Sequence, residues 1–140
     1  MRGCSLPRKT DSNNPADWLW IALSDLEGLR HLANAEIAYG MCRSKLSEVL
    51  EKVIKAELIR LGWFLERTHE LPRLARELEA RQSGLSAEVK PLALTLAGAY
   101  LTTRYPGLDL DDPDWPALRA QIEQVALLLE QVRDQLNAQG

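Results

Sequence analysis

Two short motifs hold the residue types best suited to chemistry in this chain, Thr68-His69-Glu70-Leu71 and Arg104-Tyr105-Pro106. A histidine can exchange a proton near neutral pH, and an arginine can bind the oxygens of a phosphate. His69 is also one of only two histidines in the sequence. If the fold brings the two motifs together, they predict a site that binds or processes phosphates. Its candidate catalytic residues are His69, Arg104 and Tyr105.

A helix hairpin is the element that can join these motifs. Thr68 can cap a short third helix that runs from about residue 69 to 82, and Ser86 can cap a fourth helix that runs to about Arg104. If the two helices pack antiparallel, the start of the third and the end of the fourth lie on the same side of the molecule. The hairpin therefore predicts contact between His69 and Arg104.

The start of the third helix is also suited to an anion, because its first backbone N–H groups lack helical partners. Arg67 and Arg73 are close in sequence to this end. We expect Arg67, Arg73 and Arg104 to contact a phosphate or a nucleotide. The alternative is structural: His69 hydrogen-bonds a neighbouring carboxylate or carbonyl, and Arg104 binds the last carbonyls of its helix.

The rest of the sequence also predicts helices. Asn14 and Pro15 begin a first helix that ends near Asn34, and a second runs from Tyr39 to a stop at Gly62. On the second helix, the i, i+4 pairs are Glu48 with Lys52 and Glu51 with Lys55, each worth about 0.2–0.5 kcal/mol. Asp114 can cap a last helix. No alternating strand pattern is present, so we predict an all-α fold, an up-and-down antiparallel bundle of four to five helices.

The length of 140 residues indicates one domain with a real core. We predict a flexible basic N-terminal tail at 1–13 and a single helical bundle domain at 14–138. No apolar run approaches the ~18 residues needed to cross a bilayer, so the expected location is the cytoplasm. The net charge of −3 argues against broad binding to duplex nucleic acid.

The cysteines and tryptophans give weaker signals. Cys4 and Cys42 show no metal-binding spacing, so we expect free thiols, no metal and no cofactor. Trp18 and Trp20 are two residues apart on one helix and cannot face the same way. We expect the tryptophans to pack at helix boundaries; alternatively, Trp20 marks a protein–protein surface.

The order of the motifs resembles the HEPN domain (higher eukaryotes and prokaryotes nucleotide-binding). The resemblance covers about residues 16 to 135 and rests on a tyrosine before a helix, the segment 47–56 (SEVLEKVIKA) and the two motifs above. It points to the branch with a Thr-His-x-Leu and an Arg-Tyr-Pro motif. It implies a helical bundle, frequently a homodimer, and a common pairing with a small nucleotidyltransferase in a toxin–antitoxin arrangement.

Many HEPN proteins are metal-independent ribonucleases in which four to six residues separate an arginine from the histidine that follows it. Gly, Trp and Phe stand at 62–64 ahead of His69, and Ser, Asp and Leu stand at 24–26 ahead of His31, so the usual motif is absent. Three hypotheses follow. The chain is a nucleotide- or RNA-phosphate-binding module, a metal-independent endoribonuclease with a rearranged His/Arg site, or a non-catalytic protein-interaction adaptor.

Overall fold

The computed structural model of the chain describes residues 12–98 and 112–139. This part contains five helices and no strand, which confirms the predicted all-α bundle. No helix in it is both long enough and apolar enough to pass through a lipid bilayer. The helices are α1 (Pro15–Asn34), α2 (Tyr39–Arg60), α3 (Leu71–Ala80), α4 (Ser86–Ala97) and α5 (Trp115–Gln139).

Helix α2 forms the centre of the bundle and packs against each of the other four described helices. Its apolar residues recur at intervals of three and four, so they cover more than one face of the helix. The apolar side chains of α2 without exposed surface are those of Cys42, Leu46, Val49, Leu50, Val53, Ile54, Ala56 and Leu58. Their burial is the main driving force for folding, at about 25 cal/mol per Å² of apolar surface.

The ends of the long helices follow the sequence prediction. The side chain of Asn14 accepts a hydrogen bond from the Ala16 backbone at 3.1 Å, and Pro15 occupies the first turn of α1. The carboxylate of Asp114 accepts from the Ala117 backbone at 3.1 Å at the start of α5. After α2, Gly62 has a φ of 93°, which L side chains rarely adopt, and this explains why a glycine ends the helix.

The predicted start of α3 is wrong. The helix begins at Leu71, with Glu70 as its N-cap, and the Thr68 hydroxyl instead accepts from the Glu70 backbone at 3.3 Å. The reason is Pro72. In a helix capped by Thr68, Pro72 would have to donate its backbone N–H to the Thr68 carbonyl, and proline has no N–H. His69 therefore lies in the connector before α3.

The predicted bounds of α4 also need correction. Ser86 is its first helical residue and makes no capping hydrogen bond, whereas the Ser83 hydroxyl accepts from the Leu85 backbone at 3.1 Å. The helix ends at Ala97 and not near Arg104, and Gly98 is its C-cap. Glycine is a poor helix former, which explains an end at this position.

Trp63 and Trp115 confirm the prediction of packing at helix boundaries. The Trp63 side chain is buried, and Trp115 meets Tyr39 edge to face with 5.1 Å between the ring centroids. Cys42 is buried and free, and this burial raises the pKa of its thiol. Cys4 lies outside the described residues, and the free thiol expected there stays a prediction.

A buried carboxylate joins α2 to the turn between α3 and α4. Glu57 accepts hydrogen bonds from Arg60 at 2.7 and 3.0 Å and from the Ser83 hydroxyl at 2.7 Å. The hydrogen bond to Glu57 raises the pKa of Arg60. A buried charge is tolerated only when it is paired and hydrogen-bonded, so each donor contributes to stability.

We expect Ser83→Ala to destabilise the protein by about 1–3 kcal/mol, because it removes one donor from the buried Glu57 carboxylate. The matched control is Ser86→Ala, for which the structure predicts a change within about 0.5 kcal/mol, since Ser86 caps nothing. Urea denaturation followed by circular dichroism measures both. A larger loss for Ser86→Ala than for Ser83→Ala would contradict this account of the turn.

Candidate functional site

One face of α2 is polar and lines a pocket of about 630 Å³. Its polar residues repeat at helical spacing, which places them on one side of the helix. The other walls come from α1, the connector before α3 and the end of α4. The described lining residues are Trp18, Ser44, Ser47, Glu48, Glu51, Lys52, Lys55, His69, Glu70, Leu71 and Ala97.

This pocket unites two of the motifs that the sequence singled out. Polar residues of the segment 47–56 form one wall, and His69, Glu70 and Leu71 form another. Ala97 lies at the same pocket, so the described end of α4 is at the same end of the bundle as the start of α3. This agrees with the orientation predicted for the hairpin.

His69 is held by Glu51. The Nδ1 atom of His69 lies 2.8 Å from Oε2 of Glu51, although the His69 side chain is 81% exposed. An ionised carboxylate can only accept, so Nδ1 carries the proton in this contact. The Nε2 atom has no hydrogen-bond partner among residues 12–98 and 112–139, and it keeps its lone pair for a ligand.

Lys55 forms an ion pair with the same carboxylate. Its Nζ atom lies 2.9 Å from Oε2 of Glu51, and Lys55 is only 2% exposed. The ammonium also lies 5.3 Å from the centre of the Trp18 ring, a distance suited to a cation–π contact. These two contacts compensate the cost of burying the charge.

The hydrogen-bonded pair of Glu51 and His69 is suited to proton transfer. A carboxylate that accepts from one imidazole nitrogen fixes the ring and its tautomer, and it stabilises the positive charge that forms when the other nitrogen takes a proton. Glu51 is largely buried and braced by Lys55, so it does not have to reorganise. The pocket therefore presents a fixed, accessible imidazole, which can accept a hydrogen bond or work as a general base.

The charges of the described pocket lining nearly cancel. Three carboxylates line it, from Glu48, Glu51 and Glu70, together with the ammonium groups of Lys52 and Lys55. Most of these groups are already paired. Besides the Glu51 pair, Glu48 lies 3.3 Å from Lys45, and Lys52 lies 4.0 Å from Asp25. The pair predicted between Glu48 and Lys52 is not formed.

Of the other predicted site residues, the structure describes only Arg67 and Arg73. Arg104 and Tyr105 lie outside the described residues, and their contact with His69 stays a prediction. Arg67 is exposed and two residues from His69. Arg73 pairs with Glu66 at 3.0 Å, and neither Arg67 nor Arg73 is among the described lining residues. The described residues hold no group of three or more histidine, cysteine, aspartate or glutamate residues placed to bind a metal.

Sequence reasoning missed Glu51, Lys55 and Trp18 as site residues. The pair Glu51–Lys55 was predicted, but only as an i, i+4 pair worth about 0.2–0.5 kcal/mol. The available signal was their position: both fall within the run of apolar residues that buries α2, where charges need partners. Nothing in the spacing showed that His69 would be one of those partners.

Comparison with protein-family models matches the chain to the HEPN domain over residues 15–135. No curated protein and no solved structure matches the chain. The matched range contains four described helices in full and nearly all of α5, together with the pocket. The branch with the Thr-His-x-Leu and Arg-Tyr-Pro motifs stays a prediction. The chain belongs to the HEPN family.

Proposed function

We propose that the protein is a nucleotide- or RNA-phosphate-binding module whose ligand contacts His69 at the pocket. Membership of the HEPN family supports a nucleotide-binding or ribonuclease-like module. The observation that carries the proposal is the hydrogen bond between His69 and the braced Glu51, because it presents an oriented imidazole beside a pocket. A pocket of about 630 Å³ is also in the range that small ligands occupy.

In this proposal Arg104 and Arg67 bind the phosphate, with Arg73 as a further candidate. Arg67 is two residues from His69, and Arg104 follows the helix whose last residue, Ala97, lines the pocket. An arginine can bind two phosphate oxygens at once, which gives orientation as well as charge. HEPN domains commonly form dimers, so we propose a homodimer that acts with a small nucleotidyltransferase in a toxin–antitoxin-like pair.

The hydrogen bond to Glu51 also favours a second function, that of a metal-independent endoribonuclease. The Nε2 atom of His69 takes the proton of an RNA 2′-hydroxyl, and the 2′-oxygen attacks the adjacent phosphorus. The 5′-oxygen of the next nucleotide leaves and takes a proton from solvent water, and a 2′,3′-cyclic phosphate remains. Glu51 stabilises the imidazolium, Arg104 stabilises the phosphate charge in the transition state, and Tyr105 assists.

The third function, a protein-interaction adaptor, is favoured by Trp20. This side chain is 75% exposed on α1, facing away from the pocket that Trp18 lines. Exposed aromatic residues are enriched at protein–protein contacts. An adaptor would use Trp20 and the acidic last helix, and substitution of His69 would change nothing.

The ribonuclease function predicts that His69→Gln lowers the cleavage of single-stranded RNA in EDTA by about 10²–10⁴-fold, the usual contribution of a general base. The matched control is His31→Gln, which replaces the only other histidine at an exposed position of α1 and leaves cleavage unchanged. Gel analysis of labelled RNA measures the rates. Equal rates for the wild type, both variants and Arg104→Ala would exclude catalysis.

Phosphate binding predicts that Arg104→Ala and Arg67→Ala each weaken the binding of a nucleoside 5′-monophosphate by about tenfold or more, because a hydrogen bond to a charged group is lost. Arg133→Ala is the control, since Arg133 pairs with Glu130 on the exposed face of α5. Isothermal titration calorimetry measures the affinities. The assignment of the phosphate to these arginines fails if all three variants bind like the wild type.

The proposed assembly predicts a homodimer by light scattering after gel filtration. It also predicts co-purification of the native protein with a nucleotidyltransferase encoded beside it, and growth arrest when the chain is expressed alone. Trp20→Ala tests the adaptor surface in the same experiment. The proposed assembly is refuted if the chain stays monomeric, binds no nucleotide and does not bind the protein encoded by the adjacent gene.

A further inference from the structure

The pocket beside His69 has a polar but nearly neutral lining, and this bears on which part of a ligand it holds. Within the described lining, Glu48, Glu51 and Glu70 face only two lysines, and both lysines are already paired with carboxylates. Among the described lining residues, a phosphate inside the pocket would meet three carboxylates without an excess of positive charge. Such an arrangement disfavours an anion and favours an uncharged ligand group.

The remaining groups of the pocket are those that suit a nucleobase and a ribose. Trp18 forms one wall, and its indole N–H donates to the Ser12 carbonyl at 2.8 Å, which fixes the direction of the ring. Aromatic rings stack on the flat faces of bases with little regard to sequence. The hydroxyls of Ser44 and Ser47 are half-buried in the pocket, and neither is hydrogen-bonded to another described residue. Each can donate to or accept from a base edge or a sugar.

We propose that this pocket holds the nucleoside part of the ligand, with the base against Trp18 and the phosphate outside the pocket at His69. The inference rests on the proposed nucleotide-binding function and deepens it. His69 is suited to the outer position because its side chain is exposed while Nδ1 is tied to Glu51. The pocket then recognises an uncharged nucleoside, and the phosphate makes a separate contact outside the pocket.

Calorimetric titration of the full chain separates the two parts of the ligand. The probes are adenosine, guanosine, cytidine and uridine, their 5′-monophosphates, and inorganic phosphate. We expect at least one nucleoside to bind more weakly than its monophosphate by no more than about a hundredfold, the contribution of two arginine contacts, and inorganic phosphate not to compete with it. Trp18→Leu weakens that binding by about fivefold or more through the loss of stacking. Trp20→Leu, two residues away and exposed, leaves it unchanged.

A second variant covers the risk that Trp18→Leu does not fold. Ser47→Leu adds bulk to the pocket from a half-buried helix position and also removes nucleoside binding. If monophosphates bind, no nucleoside does and inorganic phosphate competes, the nucleoside assignment is overturned while nucleotide binding stands. The assignment also falls if nucleosides bind and Ser47→Leu binds them as well as the wild type. If neither nucleosides nor monophosphates bind, both the assignment and the proposed function fall.

Discussion

The structure depends on the burial of α2 by the four helices described around it. Apart from the polar face that lines the pocket, this helix is largely buried, so its buried charged residues must be paired or hydrogen-bonded. Two carboxylates on α2 meet this requirement in different ways. Glu57 is paired with Arg60 and bound by Ser83 from the α3–α4 turn, and Glu51 is bound by Lys55 and by His69. The central helix thereby fixes both the short helices and the candidate site.

One carboxylate oxygen both pairs with the buried Lys55 and orients His69. Oε2 of Glu51 lies 2.9 Å from the buried Lys55 ammonium and 2.8 Å from His69 Nδ1. Loss of Glu51 would leave a buried ammonium without its partner, a change that costs about 3–5 kcal/mol in other buried pairs. His69 itself is exposed, so its chemistry can be altered with little effect on folding. Glu51 therefore positions the imidazole, and His69 is the residue proposed to contact the ligand.

The long helices could be predicted from the sequence, and the short ones only in part. The first, second and last helices combine apolar periodicity with local end signals, namely Asn14, Gly62 and Asp114, and these signals act within one turn of chain. The bounds of α3 and α4 differ because Pro72 is incompatible with a cap at Thr68, and because α4 ends at Ala97 with Gly98 as its C-cap. His69 was recognisable from its residue type. Its partner Glu51 was not, because an i, i+4 pair has the same spacing in the sequence of a buried helix as in that of a solvated one.

The sequence by itself determined the helical class, the core positions of α2 and the two motifs proposed to carry chemistry, since periodicity, capping and residue type are local properties. Only the tertiary structure decided that residues of the segment 47–56 and His69 share a pocket. It also decided that the Lys55 ammonium lies 5.3 Å from the centre of the Trp18 ring. These contacts join residues far apart in the chain, and their partners are set by how the helices pack around α2, which spacing along one helix does not specify.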